Sequence, residues 1–220
     1  MKNYQIILLI FCLIFSINFT VAIEGNVEYN SVYIDYSVLS EQELIKRGDY
    51  YKNLAQNPKI KKEQQKEFYQ KALGYYVTAS QVNEENATLF GIIGRLYGKI
   101  DEYTLGKSYL NRGLSLEPWN PIVNFYSGDF YYDYQNYIYS LKYYKQAKKF
   151  NYYDKYALNM RLGAVNEKLG DLVKARNAYA EALKLSPKNN KLIEKIRSID
   201  DLKYNQSEYY YRKKPFHYDN

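Results

Sequence analysis

The sequence predicts an all-α protein, a solenoid of stacked antiparallel helix pairs. The first observation is a repeat of about 34 residues, a period typical of stacked supersecondary units. It is clearest in three glycines that lie 34 and 35 residues apart: Gly94, Gly128 and Gly163. The second observation is that four further tracks keep this register: Tyr97, Tyr131, Asn166; Tyr76, Leu110, Tyr144, Tyr179; Ala79, Gly113, Ala147, Ala182; and Ala72, Gly106, Ser140, Ala175. The third is that the connections between helical segments are short enough to force antiparallel neighbours.

The N-terminus has the features of an export signal. Lys2 is followed by an apolar run from Ile6 to Phe15 and then by the small-residue segment Thr20-Val21-Ala22. This combination predicts a secretory signal peptide over residues 1–22. The alternative is an uncleaved membrane anchor, although polar residues interrupt a stretch that needs about 20 apolar residues to span a bilayer. The protein is therefore expected to be exported, to a periplasmic or extracellular location.

Cleavage would change the cysteine content and the charge of the chain. It removes Cys12, the only cysteine, so the mature chain can form no disulfide. It also removes one lysine and no acidic residue, which takes the formal net charge from +7 to +6. A positive charge of this size favours anionic partners through long-range attraction but does not by itself indicate nucleic acid.

Residues 23–40 alternate Val and Tyr with polar residues and carry no helical period, which predicts an extended linker. The helical pattern starts at Ser40, a candidate N-cap. Glu43 follows three residues later, so the pair is expected to form a capping box.

The first repeat unit, residues 41–86, is stretched. Gly48 corresponds to Gly94 but lies 46 residues upstream, so about 12 residues are inserted. We expect Pro58 to open a long second helix that reaches Gln81, because proline suits the first turn of a helix.

Three regular units follow, at residues 87–120, 121–155 and 156–189. Their predicted helices are Asn86 to Lys99, Tyr103 to Leu116, Ile122 to Tyr134, Tyr137 to Phe150, Tyr156 to Leu169 and Leu172 to Leu185. Residues 190–202 predict one more amphipathic helix that caps the open end of the stack. The Tyr-rich basic tail, residues 203–220, has no hydrophobic period and is predicted to be disordered.

The repeated glycines imply close packing. An interior glycine costs a helix about 1 kcal/mol relative to alanine, so each needs a compensating contact. We expect the small residues of the partner helix to lie opposite these glycines: Gly106, Ser140 and Ala175. Two small residues that face each other let the helix backbones approach closely.

These patterns resemble the tetratricopeptide repeat (TPR) family. The segment from Gly163 to Pro187, GAVNEKLGDLVKARNAYAEALKLSP, has the family's glycine, its Leu-Gly-Asp turn, its Ala/Tyr/Ala spacing and its closing proline. Phe90 to Pro118 matches nearly as well, and the unit at 121–155 has Tyr152 where proline is usual. The resemblance covers residues 41–189, about four units. It implies a right-handed superhelix whose first helices line a concave groove that binds an extended peptide or a partner's helix.

A helical wheel assigns residues to this groove. If the glycine track faces the core, the inner faces of the first helices carry a mixed set of charged, aromatic and apolar side chains. The candidate partner-binding residues are Arg95, Lys99, Phe125, Asp129, Tyr132, Asp133, Met160 and Lys168. In one branch of the family, Lys and Asn help to bind a peptide's C-terminal carboxylate. Here Ile45 and Asp49 occupy those positions, so this mode of peptide binding is not expected.

Catalytic and metal-binding patterns are weak. Outside the predicted signal peptide the chain has one histidine, His217, in the tail and without a framework to orient it. Asp129 and Asp133, one helical turn apart, lack a converging third ligand. The sequence therefore predicts no enzyme activity, no catalytic residues, no metal, no cofactor and no nucleic-acid partner. Membrane contact is expected only through the signal segment or the basic tail.

The predicted function is that of an exported scaffold for protein–protein interactions, with one or more protein partners whose identity the sequence leaves open. The alternative is a structural component of the envelope or surface that self-associates through its aromatic-rich repeats.

Overall fold

The computed structural model describes residues 39–213, with side chains described as far as Leu202. The predicted signal peptide, most of the predicted linker and residues 214–220 of the predicted tail lie outside the described residues. Within the described part the chain is helical. Its helices are α1 (Glu41–Ala55), α2 (Lys62–Val82), α3 (Ala87–Lys99), α4 (Tyr103–Leu116), α5 (Pro121–Asp133), α6 (Tyr137–Lys149), α7 (Lys155–Lys168), α8 (Leu172–Leu185) and α9 (Asn190–Lys213). The bounds of α3 to α8 lie within one residue of the predicted ones.

Side-chain caps define where most helices begin. An oxygen of Asn86, Asn136, Asp154 or Asp171 accepts a hydrogen bond from a backbone N–H in the first turn of the helix that follows. Asn120 accepts two such bonds, and Pro121 directly after it occupies the first turn, where its missing N–H costs nothing. These short polar residues compete with the backbone inside helices but satisfy unpaired N–H groups at helix starts.

Of the two hydrogen bonds of the predicted capping box, the one to the Ser40 side chain is present. The Ser40 hydroxyl accepts a hydrogen bond from the backbone N–H of Glu43 at 3.3 Å. The Glu43 carboxylate, however, lies against Arg47 Nε at 3.2 Å, so it stabilises α1 one turn further along. This is a single cap with an i,i+4 ion pair in place of the capping box that we expected.

The hairpin turns of the three regular units share one conformation. Asp101, Gln135 and Gly170 stand at equivalent positions between the paired helices, with φ of 69°, 58° and 77°. This left-handed region is open to glycine at little cost and strained for other residues. The Leu-Gly-Asp turn therefore has the favoured residue only in the last unit.

The helices form two layers. Each pair (α1 with α2, α3 with α4, α5 with α6, α7 with α8) packs closely, and α3 packs against α5 as its neighbour in the stack. The helices α1, α3, α5 and α7 form the inner layer, and α2, α4, α6 and α8 the outer layer. Each outer helix also contacts the inner helix of the next unit, or α9 at the end. No helix of the described part is long and apolar enough to cross a membrane.

The insertion in the first unit lengthens both a loop and a helix. Contrary to the prediction, Pro58 does not open a helix: α2 starts at Lys62. The Asn57 side chain accepts a hydrogen bond from the Lys59 backbone N–H at 3.0 Å, which closes a local turn around Pro58. From Lys62 the helix runs for 21 residues, against 13 or 14 in α4, α6 and α8.

The last helix is longer than predicted. We expected a cap that ends at Leu202 and a disordered tail from 203, but α9 continues to Lys213. The sequence holds no proline between Pro187 and Pro215 and no glycine after Gly170, so nothing in the backbone stops the helix there. The lack of a hydrophobic period after Leu202 removes a packing face but not the helix.

The repeated glycines face aromatic rings as well as small residues. Gly94 lies against the Gly106 backbone, as predicted: a Cβ there would lie 2.7 Å from the Gly106 oxygen. At Gly128 and Gly163 the nearest atoms belong to the rings of Tyr144 and Tyr179, and the facing positions of Ser140 and Ala175 stay a prediction. The close approach is therefore between a helix backbone and a flat ring, which a Cβ would block.

Candidate partner-binding groove

Ion pairs join neighbouring helices of the inner layer. Arg95 Nε on α3 contacts Asp129 Oδ2 on α5 at 2.8 Å, and Lys99 Nζ contacts Asp133 Oδ2 one turn later at 2.5 Å. Both pairs join residues 34 positions apart. One repeat period places equivalent side chains beside each other in the stack, so opposite charges at this spacing pair across units.

Asp129 is the centre of this network. Its side chain is 3% exposed and also meets Arg161 Nε of α7 at 2.9 Å. Its Oδ1 accepts a hydrogen bond from the Tyr144 hydroxyl at 2.7 Å. A buried carboxylate is stable only when charges and donors surround it, and here two guanidinium groups and a phenol do so.

The contact between a tyrosine and an acid recurs along the stack. A hydroxyl on the second helix of a unit donates to a carboxylate on the first helix in three of the four units. The pairs are Tyr76 with Asp49 at 2.8 Å, Tyr144 with Asp129 at 2.7 Å, and Tyr179 with Glu167 at 3.0 Å. Each tyrosine reaches the acid by crossing a glycine of the repeated track: Gly48, Gly128 or Gly163.

The second unit departs from this arrangement in both partners. Leu110 replaces the tyrosine against Gly94, and Arg95 replaces the acid. A leucine cannot donate a hydrogen bond, so this unit lacks the contact between its two helices. Arg95 pairs instead with Asp129 of the next unit, which joins neighbouring units.

The buried tyrosines are held in their protonated form. Burial is the largest cause that raises the pKa of Tyr144, and the negative charge of Asp129 raises it further. Burial also raises the pKa of Tyr76, followed by its hydrogen bond to Asp49. Both phenols therefore remain hydrogen-bond donors at neutral pH.

Phe125 lies in the core, which corrects its prediction as a groove residue. It is 6% exposed and stacks on Tyr152, with ring centroids 4.2 Å apart and planes within 7°. Tyr152 stands where the related repeats have proline, and its ring fills the space against α5. A partner cannot reach Phe125 without opening this stack.

Asp129 was also predicted to contact a partner, and this too is corrected. Its carboxylate is fully used by Arg95, Arg161 and Tyr144. Arg95, another predicted groove residue, is 16% exposed along its side chain, and its guanidinium lies 5.3 Å from the centre of the Tyr126 ring. The middle of the predicted groove is therefore filled by the protein's own side chains.

The other predicted residues keep some access to solvent. The side chains of Lys99 and Asp133 are 27% and 34% exposed, even though they pair with each other. Tyr132 and Met160 are partly buried, and Lys168 is exposed. Their role in binding a partner stays a prediction.

Arg161 is the residue of this surface that the sequence prediction missed. The wheel selected Met160 instead, and Arg161 follows Asp129 by 32 residues, outside the repeat period. Its side chain is 40% exposed, more than that of Arg95, although both contact the same carboxylate. For the pairs of Arg95 and Lys99 a signal existed, namely opposite charges one period apart.

Within the inner layer, α7 packs less closely against α5 than α3 does. The contact of Arg161 with Asp129 bridges this sparser junction. We call the surface formed by Lys99, Tyr132, Asp133, Met160, Arg161 and Lys168 the open inner face. Within the described residues, no group of three or more His, Cys, Asp or Glu side chains could hold a metal ion.

Comparison with known proteins supports the architecture. No protein-family model and no curated protein matches the chain. Among solved structures it is similar to one reported in the functional characterization of Pseudomonas aeruginosa PilF, with a TM-score of 0.59 and 16% sequence identity. The likeness covers 78% of this chain and 75% of that one. At this identity it bears on the fold alone, and it confirms that the described chain is an all-α, right-handed solenoid of antiparallel helix pairs of the tetratricopeptide-repeat type.

Proposed function

We propose that this chain is an exported scaffold that binds a partner peptide or helix on its open inner face. The solenoid fold supports a role in protein–protein interaction, because stacked helix pairs present an extended surface. The proposal places contact at the junction of α5 and α7, since Phe125 and Asp129 are buried and unavailable.

The choice of this site depends on the charge balance around Asp129. Two guanidinium groups, those of Arg95 and Arg161, share the one negative charge of Asp129. One positive charge is left without a matching carboxylate at this point, and it is nearest to solvent at Arg161. Tyr132, which lies within electrostatic range of Arg161, and Met160, the neighbour of Arg161 in the chain, are both partly exposed. A cation beside aromatic and apolar surface is the kind of arrangement that interfaces use as an anchor.

Site-specific photocrosslinking in the native organism tests the proposal. A photoreactive amino acid replaces Met160 on the open inner face or, as the matched control, Asn111 on the exposed side of α4. We expect a discrete crosslinked partner from position 160 and none from position 111. The same products from both positions would contradict a specific inner-face site.

Charge removal gives a second test, with the crosslink from position 160 as its readout. Arg161→Gln is expected to abolish the crosslink from position 160 or to reduce it about tenfold. Its control is Arg176→Gln, because Arg176 is an equally exposed arginine that pairs with Asp200 on the far side of the stack. If both variants retain the crosslink, Arg161 is not an anchor.

Export is tested separately, by N-terminal sequencing of the protein recovered from fractionated cells. Cleavage after Ala22 gives Ile23 as the first residue, and an intact N-terminus on a membrane fraction indicates the anchor instead. Full-length chain in the cytoplasm would overturn the exported role.

A crosslinked product at twice the chain's mass would favour the self-associating alternative. Light scattering over a concentration range then checks whether the protein self-associates.

A further inference from the structure

The outer layer of the solenoid carries most of the positive charge. Helices α2, α4, α6 and α8 together hold twelve Lys and Arg residues and three acidic residues. The four inner helices hold eight basic and six acidic residues, close to neutrality. The repeat therefore separates charge between its two faces, and the excess lies on the side away from the open inner face.

Helix α6 has the most one-sided composition. Every exposed side chain on it is either a lysine or apolar. The lysines are Lys142, Lys145, Lys148 and Lys149, and the apolar residues are Ile138, 74% exposed, and Tyr139, 48% exposed. We call these six residues the α6 face.

The lysines of the α6 face are not paired with acids. Within the described residues none of the four has a carboxylate oxygen within ion-pair distance, whereas Lys174, Arg176 and Lys184 of α8 each have one. The ammonium of Lys142 lies 6.0 Å and 5.7 Å from the rings of Tyr139 and Tyr143. These contacts position the lysine without neutralising it.

The α6 face is ordered along the helix. At 3.6 residues per turn, Ile138, Lys142, Lys145 and Lys149 fall within about 60° of one another, on a line about 16 Å long. The line begins at Ile138, in the first turn of α6, and the first turns of α4 and α8 also carry exposed apolar side chains. Leu105, Ile138, Tyr139 and Val173, in the first turns of these three helices, are 44%, 74%, 48% and 52% exposed.

We propose that the α6 face binds the surface of an anionic lipid bilayer. Unpaired lysines on one line are attracted to anionic headgroups, each with about 1 kcal/mol near the surface. The row of aliphatic and tyrosine side chains beside them suits the interfacial region, where apolar side chains insert while Lys and Arg remain at the headgroups. A nucleic acid would use the lysines but leave Leu105, Ile138 and Val173 without a partner. The proposal is independent of the open inner face, which would stay accessible to a protein.

The test is co-sedimentation of the purified full chain with vesicles. Vesicles of phosphatidylcholine mixed with anionic phosphatidylglycerol are compared with vesicles of pure phosphatidylcholine. We expect tighter binding to the anionic vesicles, and a loss of about 100-fold in Lys142→Gln/Lys145→Gln/Lys149→Gln, from three lysines at that energy each. Any binding through the apolar run from Ile6 to Phe15 is common to all variants.

The matched control removes the same charge from another basic surface. Lys59→Gln/Lys61→Gln/Lys62→Gln changes three exposed lysines of the first-unit insertion and is expected to bind like wild type. An equal loss in both triple variants, or equal binding to the two kinds of vesicle, would overturn the proposal.

Ile138→Ser/Tyr139→Ser tests the apolar part of the α6 face. It is expected to weaken vesicle binding about tenfold while leaving the charge unchanged. Binding to a single-stranded oligonucleotide with no binding to vesicles would also overturn the proposal.

Discussion

The ring of Tyr144 lies flat against the backbone of Gly128, so close that a Cβ on residue 128 would stand 2.5 Å from two ring carbons. The ring is fully buried, and its hydroxyl is bonded to Asp129, the residue after the glycine. Tyr76 repeats this relationship at Gly48 with Asp49, and Tyr179 crosses Gly163 to reach Glu167, one helical turn further along. The glycine track is therefore the space through which tyrosines of the second helices reach acids of the first.

Gly128→Ala is expected to lower the free energy of unfolding by about 1–3 kcal/mol, because the added methyl group overpacks a ring that cannot swing away. Urea denaturation measures the change. The control is Gly74→Ala in α2, where a Cβ meets nothing within 4 Å. That variant should gain about 0.5–1 kcal/mol from helix propensity alone. Equal effects at the two glycines would contradict the packing role of the ring.

Asp129→Asn is expected to cost about 3 kcal/mol, since it leaves two guanidinium groups around a site that no longer carries charge. Asp133→Asn, one turn later on the same helix, is the matched control. Its pair with Lys99 is partly exposed, so its loss should cost less than about 1 kcal/mol. Thermal or urea unfolding compares the two. Similar small losses would mean that the Asp129 network contributes little to stability.

Gln135→Gly is expected to raise the free energy of unfolding by about 0.5–1 kcal/mol. Gln135 holds φ at 58°, a region in which a side chain is strained and glycine is not. The reverse change, Gly170→Ala at φ 77°, should lower stability by about 1 kcal/mol. Opposite signs for the two variants are the diagnostic result, and a destabilised Gln135→Gly would mean that the Gln side chain makes contacts that outweigh the strain.

Folding stability is expected to fall as the pH rises from about 10 towards 12. Burial raises the pKa of Tyr97 and of Tyr131 to about 12, above the value near 10 of an unfolded tyrosine. The unfolded chain therefore releases these protons first, and their contribution, complete below pH 10, is lost through that window.

Phenolate absorbance, followed together with circular dichroism, measures this alkaline transition. Tyr131→Phe should move its midpoint to higher pH, whereas Tyr50→Phe, at a position 60% exposed, should leave it in place. Stability that stays constant between pH 9 and 12 would be inconsistent with the burial of these phenols.

The sequence could predict the helices because their signals are local. Caps such as Asn86 and Asp171, and the fixed distance between Gly94, Gly128 and Gly163, depend on neighbours in the chain or on the repeat period. Pro58 shows the limit of such signals. A residue that suits the first turn of a helix was instead enclosed in a turn by the side chain of Asn57, its neighbour.

The candidate groove was harder to predict because a helical wheel gives the direction of a side chain but not what meets it. The wheel directs Phe125 towards the predicted groove, but the ring of Tyr152 covers it. Arg161 was passed over because its contact with Asp129 does not follow the repeat spacing. The pairs of Arg95 with Asp129 and Lys99 with Asp133 do follow it, and a search for opposite charges 34 residues apart would have found them.

By itself the sequence determined the all-α repeat, its period and the positions of most helix ends, because hydrophobic spacing, caps and glycines act over a few residues. Only the tertiary structure decided which side chains remain accessible. Burial depends on rings from the paired helix and on charges from other units, as Tyr144 and the two arginines Arg95 and Arg161 show at Asp129. The periodic residues therefore specify the scaffold, and the surfaces left for partners depend on how the units stack.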